Sequence, residues 1–123
     1  MSIGQSPVPT GPRRGDIHFL DFQEVGGAVI PRPRPAVIVQ SDRMSRSSTV
    51  VLVPMTSSPR SADLRPPYLV PVSARESGLS KDGWVKVDQL LTYPTVALGP
   101  RAGHLSPERL ADVDDALRFV LGL

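Results

Sequence analysis

The chain of 123 residues contains no cysteine, which excludes disulfide bridges and thiolate metal sites. Aromatic residues make up only 5% of it, and no apolar run approaches the length of a membrane span. The first twelve residues also lack the apolar segment that a secretory signal requires. A cytoplasmic protein without a membrane partner is therefore expected, and its length suits about one domain.

Lysine is scarce, because only Lys81 and Lys86 are lysines among the 14 residues that are lysine or arginine. Within positions 1–75, nine arginines stand against five acidic residues, whereas the remainder has more acidic than basic residues. A coding bias toward arginine would explain this excess without any function. Arginine is also the side chain that binds phosphate with a planar set of donors, so a phosphate-bearing partner is the other explanation.

Proline and glycine are abundant, with 14 and 10 residues respectively. Because both interrupt regular structure, they favour short strands joined by turns. Five strands are predicted, at GDIHFLDF from Gly15, PAVIVQS, TVVLVPMT, PPYLVPVS and GWVKVDQLL. Five short strands in a small domain indicate a mainly β fold with a closed or nearly closed barrel. Residues 1–12 have little to bury and are expected to form a flexible tail before a domain at 13–123.

The end of the chain changes to helical periodicity. Ser106 followed by Pro107 predicts a helix start, with the hydroxyl capping free amides. Apolar residues then recur at helical spacing, namely Leu110, Val113, Leu117, Val120 and Leu121. One amphipathic helix is expected to close the domain, with its aspartates on the solvated face. His18 and His104 are far apart in sequence and have no neighbouring ligand, so no metal site is predicted.

The order of these segments along the chain is similar to that of a known protein family, although no single segment shows the similarity alone. In sequence, the segments are RRGDIHFLDF, a glycine-containing loop, RPAVIVQSD, TVVLVPMTSS, GWVKVDQLLT and the final helix. From about Arg14 to the end, the chain resembles the MazF/PemK family of toxin endoribonucleases. The resemblance implies an SH3-like small β-barrel of the MazF/CcdB type with a C-terminal α-helix. It also implies a homodimer that cuts single-stranded RNA at short sequences without metal or cofactor, and a MazE-like antitoxin whose acidic segment occupies the RNA groove.

The resemblance places two catalytic residues on this sequence, Arg34 and Thr56. Cleavage without metal uses the ribose 2′-hydroxyl of the RNA as nucleophile and leaves 2′,3′-cyclic phosphate and 5′-hydroxyl ends. A fixed guanidinium suits the negative charge that collects on the phosphoryl oxygens, and Arg34 is a poor general base because it stays protonated. Thr56 would hold the phosphate or the attacking hydroxyl. Pro33 and Pro35 fix the backbone beside Arg34 or simply guard the start of the strand.

Five further residues are candidates for accessory or RNA-binding roles. Arg32 is either a second phosphate contact or a surface charge, and Ser57 follows the expected threonine. In the plasmid-borne branch of the family, a basic residue and an aspartate two places later take part in proton transfer, and the matching residues are Lys86 and Asp88. Strand alternation would place both on one face, where they could equally form a salt bridge. Gln89 would bind a base or the strand.

One loop departs from the family pattern. Many members carry Ser or His followed by Glu-Gln after the loop glycine, whereas Gly27 is followed by Ala28, Val29 and Ile30. The family carboxylate is missing, so the general base is not assigned and the loop is expected to recognise different bases. Two other functions stay open: a gyrase poison of the same fold, which acts through C-terminal residues that the ending ALRFVLGL does not match, and a non-catalytic RNA-binding barrel.

Overall fold

The computed structural model describes residues 11–21, 33–57 and 66–123. It contains seven strands and two α-helices in this part of the chain. The strands are β1 (Asp16–Leu20), β2 (Arg34–Ile38), β3 (Thr49–Thr56), β4 (Leu69–Val72), β5 (Gly83–Lys86), β6 (Leu91–Pro94) and β7 (Leu98–His104). The helices are α1 (Ala74–Ser77) and α2 (Pro107–Leu121). The predicted mainly β fold with a C-terminal helix is confirmed, and none of the described helices is long and apolar enough to cross a membrane.

All seven strands join one antiparallel sheet in the order β4, β5, β3, β2, β1 and β7, with β6 paired to β3. The long strand β3 pairs with two strands along one edge. Its first half pairs with β6, and its last two residues pair with β5. Among the described residues no pairing joins β4 to β7, so the sheet is not closed. The expected mainly β architecture is present, but in the described residues strand pairing does not complete the barrel.

The number of strands exceeds the prediction of five. The segment GWVKVDQLL contains β5 and the first residue of β6, separated by a turn after Lys86. Strand β7 was not predicted, because its residues LGPRAGH include two glycines and a proline and alternate poorly. The bulges in its pairing with β1 accommodate this irregular sequence.

Two apolar clusters lie on the two faces of the sheet. Alternate residues of β2 and β3 contribute to each cluster, which explains why both strands are apolar at nearly every position. The larger cluster is covered by α2, through the buried Val113 and Ala116. The smaller cluster centres on Leu20, Ala36, Ile38, Val50 and Leu52, and residues of β6 and β7 pack against it.

Helix α2 begins where the sequence predicts, and of its predicted apolar stripe Val113 is buried, whereas Leu121 at its end is 50% exposed. The Ser106 hydroxyl accepts a hydrogen bond from the Arg109 N–H at 3.2 Å, and Pro107 occupies the first turn. Arg14 fastens the other side of the helix to the sheet, since its guanidinium donates to the Val39 carbonyl at 3.1 Å and pairs with Asp114. The helix is therefore anchored at its start and at its middle.

The RGD sequence forms a turn that starts β1. The N–H of Asp16 donates to the Arg13 carbonyl at 2.9 Å, and Gly15 takes a φ of 91°, a value that disfavours side chains. Before this turn, Pro12 is buried, and residues 1–10 of the predicted tail lie outside the described residues.

Candidate active site

Sheet register brings Arg34 and Thr56 together. In the β2–β3 pair, Ala36 lies opposite Pro54, and continuing this antiparallel register by two residues places Arg34 opposite Thr56. Residues two apart in a strand share a face, so the two side chains emerge on the same side of the sheet. On the far side of β3, Thr56 lies opposite Trp84 of β5. Three strands therefore meet at the predicted catalytic pair.

The two residues line one groove of about 520 Å³ at this end of the sheet. It is lined by residues at the strand ends and by the segment between α1 and β5. The lining residues are Phe19, Pro33, Arg34, Pro35, Met55, Thr56, Ser57, Gly78, Leu79, Ser80, Lys81, Asp82 and Gly83. Hydroxyl, guanidinium and ammonium groups thus lie around a space large enough for part of a nucleotide chain.

Arg34 is the most accessible of the catalytic candidates. Its side chain is exposed, and within the described residues its guanidinium makes no hydrogen bond or ion pair. Pro33 and Pro35 restrict the backbone on both sides, so the side chain leaves the strand start in a defined direction. A guanidinium with open donors, held at the rim of a groove, is well suited to bind a phosphoryl group.

Sequence analysis missed the segment from Lys81 to Gly83, which also lines the groove. Asp82 accepts a hydrogen bond from the Ala74 N–H at 2.7 Å and so ties this segment to the start of α1. Gly83 is buried against β3, where a side-chain Cβ would lie only 2.7 Å from the Thr56 carbonyl oxygen. The glycine immediately before Trp84 was the one sequence signal for this close approach.

The accessory candidates separate into two groups. Ser57 follows β3, is exposed and lines the groove. Lys86 ends β5 two residues after Trp84, but it does not line the groove, and neither do Asp88 and Gln89. Asp88 and Gln89 lie in the turn after the strand, where the Gln89 N–H donates to the Lys86 carbonyl at 3.1 Å, so strand alternation does not extend to Asp88. Arg32 and the loop with Gly27 lie outside the described residues.

A second polar cluster lies at the other end of β1. The carboxylate of buried Asp16 accepts hydrogen bonds from His104 Nδ1 at 2.8 Å, Arg101 Nε at 3.1 Å and the Arg13 N–H at 3.0 Å. Burial alone would raise the pKa of Asp16, but the bonds from His104 and the Arg13 backbone and the charge of Arg101 outweigh it and lower the pKa. This cluster fastens β7 to the start of β1.

Comparison with known proteins decides between the possible functions of such a groove. Residues 13–121 match the family described as PemK-like, MazF-like toxin of type II toxin-antitoxin system. The chain belongs to this toxin family. The match covers nearly all of the predicted domain, and it confirms the resemblance that the order of the strand motifs indicated.

Two curated relatives of this MazF-like chain are endoribonucleases. The probable endoribonuclease MazF of Mycolicibacterium smegmatis is 34% identical over 111 residues, which cover 90% of this chain and 97% of that protein. Endoribonuclease EndoA of Bacillus subtilis is 30% identical over 112 residues, covering 90% and 95% respectively. A solved mycobacterial endoribonuclease in complex with its cognate antitoxin superposes with a TM-score of 0.72 at 25% identity, covering 91% of this chain and 96% of that one. The predicted enzyme class, endoribonuclease, is therefore confirmed.

Proposed function

We propose that this chain is a toxin that cuts single-stranded RNA at specific sequences without a metal ion. The observation that carries the proposal is the register of β2 and β3, which places Arg34 and Thr56 on one face at the rim of a shared groove. Family membership supplies the reaction class, since both curated relatives are endoribonucleases. The gyrase-poison and non-catalytic alternatives have no comparable support.

The reaction needs little covalent chemistry from the protein. The ribose 2′-hydroxyl gives its proton to a general base, to which no residue is assigned, and attacks the adjacent phosphorus. The bond from phosphorus to the 5′-oxygen then breaks, and the leaving oxygen takes up a proton. The products are a 2′,3′-cyclic phosphate and a 5′-hydroxyl end. Arg34 stabilises the charge on the non-bridging oxygens by paired hydrogen bonds, and it is the proposed proton donor to the leaving oxygen. Thr56 orients the phosphate or the 2′-hydroxyl, and Ser57 adds a hydroxyl to the same wall.

Two macromolecular partners accompany this activity. We propose a cytoplasmic homodimer, as the family resemblance implies, and a MazE-like antitoxin that neutralises it. The mycobacterial endoribonuclease that shares the fold was solved with its cognate antitoxin, which supports this pairing. An acidic antitoxin segment would compete with RNA for the same cationic groove, because both present negative charge to Arg34.

The proposed nucleophile is tested by changing the RNA rather than the protein. A cut site is first mapped, and the same RNA is then prepared with deoxyribose at the nucleotide whose 2′-hydroxyl would attack. The modified RNA is expected to resist cleavage at that site while an unmodified site elsewhere in the strand is still cut. Unchanged cleavage at the deoxyribose position would contradict attack by the 2′-hydroxyl.

A further inference from the structure

The groove that Arg34 lines also carries a second cation, Lys81. Apart from Lys86, it is the chain's only lysine, and it is exposed among residues that line the same groove as Arg34 and Thr56. Within the described part of the chain its ammonium group makes no ion pair or hydrogen bond. The neighbouring carboxylate of Asp82 accepts instead from the Ala74 N–H at 2.7 Å, so it is turned toward the start of α1.

The segment that carries Lys81 is fixed at both ends. On its N-terminal side, Gly78 ends α1 with a φ of 77°, and a Cβ there would lie 2.8 Å from the Ala102 carbonyl oxygen of β7. On its C-terminal side, Gly83 is buried against the Thr56 carbonyl. Glycine at both positions allows backbone contacts that a side chain would prevent. Lys81 is therefore held between α1 and the sheet strand β5, and little backbone order has to be gained when it binds a ligand.

We propose that Lys81 binds an RNA phosphate next to the one that is cut. This inference rests on the proposed function and adds a second electrostatic contact to it. Arg34 and Lys81 belong to different elements that line one groove, the start of β2 and the segment before β5, so an extended strand of RNA that lies in the groove can meet both cations. A lysine ammonium acts on phosphate as a point charge without base preference. Lys81 is thus a binding residue that contributes affinity without sequence preference.

The experiment compares RNA binding and cleavage by the wild type, Lys81→Ala and Lys81→Arg. Binding is measured from low to high salt with an RNA that carries deoxyribose at the mapped cut site, or with unmodified RNA if the wild type does not cut it. Lys81→Ala should weaken binding several-fold, equally for different sequences, and reduce the slope of log K against log salt by about 0.7. Lys81→Arg should keep the wild-type slope. In cleavage, Lys81→Ala should raise KM and leave kcat unchanged.

Arg46→Ala is the matched control, because it removes one exposed positive charge near the other end of β3. Its salt slope should equal that of the wild type. The proposal is overturned if Lys81→Ala keeps the wild-type slope, if Arg46→Ala lowers the slope equally, or if kcat falls while binding is unchanged. If the wild type binds RNA and Lys81→Ala binds it equally well, this inference is contradicted and the proposed function is not. A wild type that binds no RNA contradicts the proposed function as well.

Discussion

Arg34 occupies the first position of β2, between two prolines, with its guanidinium exposed at the groove. The flanking rings reduce the backbone freedom of this short stretch, and the absence of a carboxylate partner within the described residues leaves its donors available. A side chain of this kind contributes little to folding, because an exposed arginine buries little apolar area. Its proposed role is in catalysis, where a positioned charge would act on the developing phosphoryl oxygens.

Removing that charge should abolish most of the activity without affecting the fold. Arg34→Ala is expected to lower the cleavage rate by about two orders of magnitude or more, the usual loss when a main transition-state donor is removed. Thr56→Ala should cost less, since Ser57 offers a second hydroxyl at the same wall. Initial rates on one RNA give these values, and thermal unfolding checks the fold. Wild-type rates in Arg34→Ala would refute the site while leaving the family assignment intact.

Because of Asp16, the free energy of unfolding should decrease at acidic pH. Its folded pKa is lowered, so its contribution is complete above the ordinary pKa near 3.8 and is lost as the pH falls through the folded pKa. Asp16→Asn should cost about 1–2 kcal/mol near neutral pH, because it weakens buried charge-assisted hydrogen bonds. Chemical unfolding from neutral pH to about pH 3 would show a smaller loss in the variant than in the wild type. Asp115→Asn, at an exposed pair, should leave this pH profile unchanged.

From the sequence alone, the site residues that could be predicted are those that lie in recognisable motifs. Arg34 and Thr56 follow from the family resemblance, and the structure adds the register that brings them together. Lys81 could not be found in this way, because its nearness to Arg34 depends on how the segment before β5 folds onto β3. Lys86 and Asp88 had the spacing of a shared strand face, but the strand ends at Lys86 and a turn follows.

At the scale of elements, the junction of β3 with β5 shapes the site. The backbone of Gly83 lies so close to the Thr56 carbonyl that an added Cβ must move one of the two strands. Gly83→Ala is therefore expected to lower both stability and cleavage, with the cleavage loss persisting at temperatures where the variant is fully folded. Gly122→Ala provides the comparison, because it strains a left-handed helix end with open space around it and far from the groove in sequence. It should lower stability alone, and equal cleavage losses in both variants would contradict the prediction.

Helix α2 depends on a single side-chain cap. Ser106→Ala removes the acceptor for the Arg109 N–H and should reduce the free energy of unfolding by about 1 kcal/mol. Denaturant unfolding followed by circular dichroism measures this difference. Ser106→Asp, which keeps an acceptor at the cap, should retain most of the stability. The cap has no contact with the groove, so the cleavage rate at a temperature where the protein is folded should stay unchanged.

Strands and helices could be predicted from the sequence where hydrophobic periodicity and residue composition indicate the same structure. Strand β3 was predicted with the bounds that the structure shows, because TVVLVPMT is apolar, β-branched and bounded by polar residues. Helix α2 was predicted from its cap and stripe. Strand β7 could not be predicted, since Gly99, Pro100 and Gly103 interrupt its pattern and its pairing with β1 is decided by tertiary contacts such as those of Asp16.

In the molecule as a whole, the proposed catalytic groove and the Asp16 cluster that anchors β7 lie at opposite ends of β1. The groove lies where Leu20 pairs with Arg34, and the Asp16 cluster lies four residues away at the start of the same strand. Substitutions at the anchoring end should therefore act on stability, whereas those at the groove should act on RNA. The resemblance could indicate this fold, because the order of the strands is a property of the entire chain.

The central claim is a cleavage of RNA that needs Arg34 and no metal ion. Its most direct test incubates the purified wild type and Arg34→Ala with a long single-stranded RNA in excess EDTA, and then maps the cut positions and the chemistry of the new ends. The account predicts discrete cuts with 5′-hydroxyl and cyclic phosphate ends in the wild type, and loss of those cuts in the variant. Intact RNA with the wild type, or the same cuts with Arg34→Ala, would contradict it.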